Sequence, residues 1–146
     1  GQEKQIVDFS LAAIEQAKHT VWLETPYLDM TAIGPALIEA KKNSPALDVR
    51  VILPRYNNYP IDQMRAEANC QKLEAAGIEA CLYGKTYRRL NHTKMLIVDD
   101  MGVFGSSNFN SNGMAGGNAE IAVATQNELM VDQLKRWYLE DLQQAA

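Results

Sequence analysis

Asn91-His92-Thr93-Lys94-Met95-Leu96-Ile97-Val98-Asp99 runs directly into Asp100-Met101-Gly102-Val103-Phe104-Gly105-Ser106-Ser107-Asn108. The apolar run from Lys94 to Val98 reads as one strand and Val103 to Phe104 as a second. Between them, aspartates followed by glycine spell a tight turn over Asp99–Gly102, so the two strands are expected to form an antiparallel hairpin. That expectation decides the fold, because the chain before it follows a different plan.

Upstream, Ile6, Phe9, Ala13, Ile14 and Ala17 recur at helical spacing, which predicts an amphipathic helix over Gln2–Lys18. Thr20–Tyr27 alternates as a strand and is stopped around Pro26. Thr31–Asn43 reads as a helix, Leu47–Leu53 as a strand closed by Pro54, and Ile61–Ala76 as a helix ended by Gly77. Ile78–Tyr83 is the next strand. An αβαβαβ order implies strands joined by crossover helices. Beyond the hairpin, Ala119–Ala124 reads as a last strand and Glu128–Gln143 as a last helix. In that helix Leu129, Leu134, Trp137, Tyr138 and Leu142 are available for burial. The expected class is α/β, a mixed β-sheet sandwiched by helices on both faces, in a single domain over residues 1–146.

Composition bounds the function. With 47% apolar and 22% charged residues, the chain has the make-up of an ordinary globular protein. No stretch approaches the roughly 20 apolar residues of a membrane span, and Gly1-Gln2-Glu3-Lys4 lacks the layout of a signal peptide. A cytoplasmic or peripheral-membrane location is expected. The net charge of −4 argues against a general nucleic-acid coat, which needs a clustered positive face. Cys70 and Cys81 lack metal-type spacing and read as buried thiols in a reducing compartment.

His92 and Lys94 are two apart at the mouth of a strand, so their side chains share a face, roughly 7 Å apart at the backbone. That suits convergence on one phosphate. Asp99 has the opposite parity, which assigns it to the turn and to structural hydrogen bonds. Gly105-Ser106-Ser107-Asn108 is a small-residue turn offering a hydroxyl, an amide and backbone N–H groups, donors that suit a compact anion. Such residues are also ordinary turn formers. Glu120, on the next strand, is placed to orient an imidazole by accepting its second N–H, or is a surface strand residue. Lys85, Arg88 and Arg89, with Tyr83 and Tyr87 between them, form either a solvated loop or a basic rim that steers a phosphate-bearing substrate.

H-x-K-x-x-x-x-D, then G-S-x-N, then a glutamate resembles the signature of the phospholipase D (HKD) superfamily. The motif match runs from His92 to Glu120, and the Glu24-Thr25-Pro26-Tyr27 and Val49–Pro54 strand ends resemble the family over most of the chain. The Asp99–Gly105 interval is one residue shorter than the usual pattern, a difference placed in the Asp100–Gly102 turn. The resemblance implies catalytic residues His92, Lys94, Asp99 and Glu120, and phosphate contacts from Lys94, Ser106 and Asn108. It implies no metal and no cofactor. One histidine attacks phosphorus to give a phosphohistidine; a second protonates the leaving oxygen and then activates water or an alcohol.

The chain has only two histidines, and His19 has no lysine two residues on. One chain thus supplies half a site. The rest must come from a second HKD copy, as a homodimer or as another repeat in a longer polypeptide, and a C2 dimer is the commonest route. The expected substrate is a phospholipid headgroup, hydrolysed or transferred, with a possible peripheral membrane contact through Trp22 or Trp137. The rivals are a metal-independent endonuclease, which the small size suits, and a non-catalytic HKD-like module for binding or dimerisation. The presence of His92, Lys94 and Asn108 together argues against the last.

Overall fold

The computed structural model describes residues 2–56, 59–84, 93–106 and 121–145. Their elements follow in the order α1 (Gln2–Glu15), β1 (Thr20–Glu24), α2 (Ile33–Asn43), β2 (Asp48–Pro54), α3 (Pro60–Ala75), β3 (Glu79–Tyr83), β4 (Met95–Val98), β5 (Met101–Gly105), β6 (Ala122–Thr125) and α4 (Glu128–Gln143). The six strands form one sheet in the order β3-β2-β1-β4-β5-β6. β1, β2 and β3 are parallel, as crossover helices require, whereas β4, β5 and β6 each run antiparallel to the neighbour before them. The mixed α/β sheet read from the sequence is the one observed.

Strand alternation divides the core into two layers. Val21, Leu23, Val49, Val51, Leu96 and Val98 face α1, α2 and α3, meeting Ile14, Leu37 and Leu73. Trp22, Ile52, Met95 and Ile97 face α4, meeting Val131, Leu134 and Tyr138. On the α4 side Trp22 stacks on Tyr138, ring centroids 5.2 Å apart, and the Arg50 guanidinium lies 4.9 Å from the Trp22 ring. Arg50 is fixed there by Asp48 at 2.9 Å. The guanidinium therefore caps an aromatic pair rather than reaching out for a ligand.

Local chemistry explains where elements stop. α3 ends at Gly77, whose φ of 84° is open to glycine at no steric cost. The Gly77 N–H donates to Glu74 O and the Ile78 N–H to Leu73 O, at 2.9 and 3.1 Å. Ile78 and Leu73 meet in the core, which completes a Schellman ending. At the other terminus of the fold, Asn127 caps α4 by accepting the Met130 N–H at 3.1 Å. β1 ends three residues before the expected Tyr27: the Thr25 N–H still reaches Ile52 O, but Pro26 has no N–H to continue the ladder.

Three expectations shift. The β4–β5 turn is two residues, Asp99-Asp100, because Met101 and Gly102 pair with Val98 and Ile97. Phe9 is 45% exposed, since α1 turns Val7, Ser10 and Ile14 inward. Leu129 and Trp137, 81% and 50% exposed, lie off the buried face of α4, which is Val131, Leu134 and Tyr138. Cys70 and Cys81 are both free thiols. Cys70 packs in the α1–α3 layer, as do Ala80 and Leu82, so alternation points Cys81 to the opposite face of β3. No helix among the described residues is long and apolar enough to cross a membrane.

Candidate active site

The pairing registers bring one edge of the sheet into focus. Glu24 closes β1, Pro54 closes β2 and Tyr83 closes β3, so this edge carries the carboxyl ends of the parallel strands. Met95 pairs with Glu24, so Lys94 and the entry to β4 lie on the same edge. Gly105 ends β5 beside Ala122, which starts β6, again on this edge. The chain leaves here at Gly84 and returns at Thr93, shifted from β3 to β4 by three strand spacings, roughly 14 Å. It leaves again at Ser106 and returns at Ile121. His92, Asn108, Glu120, Lys85, Arg88 and Arg89 belong to these two intervals and lie outside the described residues. Carboxyl-end crevices are where open α/β sheets commonly place ligands.

Lys94 is half-buried, immediately before β4, and its carbonyl accepts the Gly105 N–H at 3.4 Å. By alternation it shares the α1–α3 face with Leu96 and Val98. Ser106 follows Gly105, the register partner of Lys94, and so lies one residue further along the same sheet edge. The Ser106 N–H donates to Ile121 O at 2.8 Å, and its hydroxyl oxygen accepts the Ile121 N–H at 3.0 Å. Ser106 thereby clamps the start of β6 to the end of β5, a turn-forming role that uses a hydroxyl lone pair read from sequence as a phosphate contact. Gly105 permits the approach: a Cβ there would collide with the Ile121 carbonyl and stand 2.7 Å from Ala122 Cα.

Asp99 is at the opposite edge, five residues and roughly 16 Å of strand from Lys94. Its carboxylate accepts three backbone N–H groups, from Lys18 at 3.0 Å, His19 at 2.8 Å and Thr20 at 3.0 Å. Partial burial pushes the carboxyl upward, but the Thr20, Lys18 and His19 amides, with the His19 charge, outweigh it and hold the carboxyl below its ordinary value. At the other end of β4 from Lys94, the side chain ties the hairpin turn to the entry of β1. Its φ of 51° is tolerable for aspartate in a tight turn.

Glu24 was not among the candidates. It is fully buried at the site edge, on the α4 face with Trp22 and Tyr138. The Tyr138 phenol, pushed well above its ordinary pKa by burial and then by the Glu24 charge, donates to Leu23 O at 3.4 Å. The available signal was a carboxylate at the end of an otherwise apolar strand, which is rare without a reason.

A cavity of about 430 Å³ opens on the same edge. Its walls are the Pro26–Thr31 segment that follows β1 and the α3 residues Asp62, Arg65, Ala66 and Asn69, with Leu53 below. Asp29, 8% exposed, accepts the Thr31 N–H at 2.7 Å and the Thr31 hydroxyl. Arg65 Nη1 lies 3.6 Å from Asp62 Oδ1.

Comparison with known proteins agrees with this fold. The family model described as "Cardiolipin synthase, PLD-like domain" matches residues 11–142. No curated protein matches the chain. Among solved structures, a phospholipase D family member, Nuc from Salmonella typhimurium, is 23% identical with a TM-score of 0.77, covering 98% of this chain and 88% of that one. NucT from Helicobacter pylori is 18% identical with a TM-score of 0.74, covering 99% and 92%. Phosphatidylserine synthase from Haemophilus influenzae is 14% identical with a TM-score of 0.73, covering 92% of this chain and 34% of that one.

Proposed function

This chain belongs to the phospholipase D-like family, and from that premise we propose that it is a phosphodiesterase working through a phosphohistidine, with His92 from each of two copies flanking one phosphorus. The observation that carries the reading is the meeting, on one sheet edge, of Lys94, Ser106 and the described ends of both intervals that hold His92, Asn108 and Glu120.

One His92 attacks phosphorus; a P–N bond forms and the bond to the leaving oxygen breaks. The other copy's His92 donates a proton to that oxygen. It then takes a proton from water or an alcohol, which attacks phosphorus and breaks the P–N bond. Lys94 and Asn108 hold the nonbridging oxygens, where fixed cationic and amide donors are worth most. Glu120 orients the imidazole. His92→Ala removes both the nucleophile and the acid, so turnover of bis(p-nitrophenyl) phosphate is expected to vanish. Retained turnover in that variant refutes the assignment.

A phospholipid headgroup is the favoured substrate, supported by the net charge of −4 and by a cavity of about 430 Å³ on the sheet edge that also carries Lys94. Nucleic acid is the second reading, favoured by Lys85, Arg88 and Arg89 and by the full-length match to Nuc and NucT. A parallel assay on cardiolipin, phosphatidylglycerol and single-stranded DNA separates them. Cleavage of DNA that weakens steeply with salt marks a multi-phosphate grip.

A further inference from the structure

We propose that Arg55 is a specificity-determining residue, gripping a second phosphate that the substrate carries three carbons away from the one held at Lys94. This rests on the phosphodiesterase reading above and adds a second anionic contact to it.

The backbone places Arg55 on the right edge and face. Its N–H donates to Tyr83 O at 2.9 Å, so β2 keeps its extended course past Pro54. Alternation then gives Arg55 the face of Val51 and Leu53, which Lys94 shares with Leu96 and Val98. On that side the Cys70 thiol of α3, pushed up mainly by burial, feels the Arg55 charge as a downward pull. Ile52 and Met95 both pair with Glu24, so they stand level on either side of β1. Beyond that level Arg55 extends two residues further than Lys94. With two strand spacings between β2 and β4, the two backbones are roughly 12 Å apart.

The side chain lacks a partner of its own. Arg55 is half-buried, and its Nε is the only cationic nitrogen among the described residues that is buried with no acceptor. The ion pairs among those residues belong to Arg50 and Arg65. A shielded guanidinium N–H is costly to leave unmet, and a chain with 18 acidic residues had ample means of meeting it internally. An anion from outside completes it, and the planar fork suits two oxygens of one phosphate. Because Arg55 is turned toward α3, which packs on β2 and β3, that anion is not the one at Lys94. Two phosphates joined through three carbons, as on a glycerol or across a nucleotide sugar, fit the interval once the two long side chains make up the remainder.

Calorimetric titration compares propane-1,3-diol bisphosphate with propyl phosphate on wild type, Arg55→Gln and Arg55→Lys. Wild type is expected to bind the bisphosphate about tenfold tighter, the worth of one charge-assisted bond. Arg55→Gln should bring the two ligands within about twofold, and Arg55→Lys, a point charge without the fork, should keep part of the gap. No gap in wild type, or an undiminished gap in Arg55→Gln, overturns the proposal. So does a lowered thermal midpoint that weakens both ligands equally, which marks a structural role. Turnover then separates the sources of the second phosphate. A lipid source is marked when Arg55→Gln flattens a preference for cardiolipin over phosphatidylglycerol in kcat/KM. A nucleotide source is marked when it flattens a preference for 5′-phosphorylated over unphosphorylated dithymidylate. Either flattening supports the contact, and both preferences undiminished overturn it. Wild type inert toward these substrates and toward bis(p-nitrophenyl) phosphate, with the calorimetric gap intact, counts against the reaction and leaves the Arg55 contact standing.

Discussion

Asp99 Oδ1 accepts the backbone N–H of His19 at 2.8 Å, joining the β4–β5 turn to the entry of β1 across 80 positions of sequence. Two more amides share the carboxylate. Asp99→Ala orphans all three donors and is expected to lower stability by about 1.5 kcal/mol. That is the low end for bonds to a charged group, because the carboxylate is partly solvated. Urea denaturation followed by tryptophan fluorescence measures it.

The same carboxyl makes stability depend on pH. Its pKa is depressed in the folded protein, so protonation favours the unfolded chain. The contribution is complete above the unfolded value near about pH 4 and drains away as pH falls through the lower folded value. Asp99→Asn keeps the left-handed turn but does not titrate there. The stability gap between wild type and Asp99→Asn should narrow in acid; a constant gap would contradict the linkage.

A site assembled from two His92 side chains has a stoichiometric signature. Wild type and His92→Ala chains, mixed in equal amounts and co-refolded, should retain about one quarter of the activity of the same total of wild type. Independent sites would retain about one half. The measured fraction separates the two.

Gly105→Ala places a methyl group against the Ile121 carbonyl and Ala122 Cα. The β5–β6 pairing must part, at a cost of roughly 1–3 kcal/mol. Ser106 is displaced with it, so activity should fall along with the thermal midpoint. An unchanged midpoint would mean that the approach of β6 is looser than described.

Cys70 is buried and its thiol is pushed up to about 12, by burial first and then by the Glu74 charge. Cys81 is raised too, for the same leading reason. Iodoacetamide at neutral pH should leave Cys70 unmodified until denaturant is added, and mass spectrometry should find no link between the two.

Much of this fold was legible in advance because its signals are local. Gly77 announces the end of α3, and Asp99-Asp100 bends a chain whose flanks are apolar. The turn closed two residues tighter than read, since Met101 and Gly102 look like turn residues but find cross-strand partners. Phe9 and Trp137 misled because helical spacing identifies an apolar stripe without saying which part of it the sheet will cover. The strand order is a long-range outcome that no local pattern encodes, so the placing of Lys94 and the Pro26–Thr31 wall on one sheet edge was invisible. Ser106 was legible as a residue type, but not the use of its lone pair by Ile121. Asp99 was the opposite case: parity alone separated it from Lys94, against the grouping of the motif.

Among the described residues β6 is the last strand of the sheet, with β5 on one side, the exposed Val123 within it and the exposed Ile121 just before it. Joining two chains flank to flank through it would put five interstrand steps, roughly 24 Å, between their β4 strands. Imidazoles that sandwich a single reacting centre must stand within roughly 7 Å of each other. Under the two-copy reading proposed above, the catalytic partners would confront one another across the strand tips, and sideways stacking of these sheets through β6 would be chemically idle.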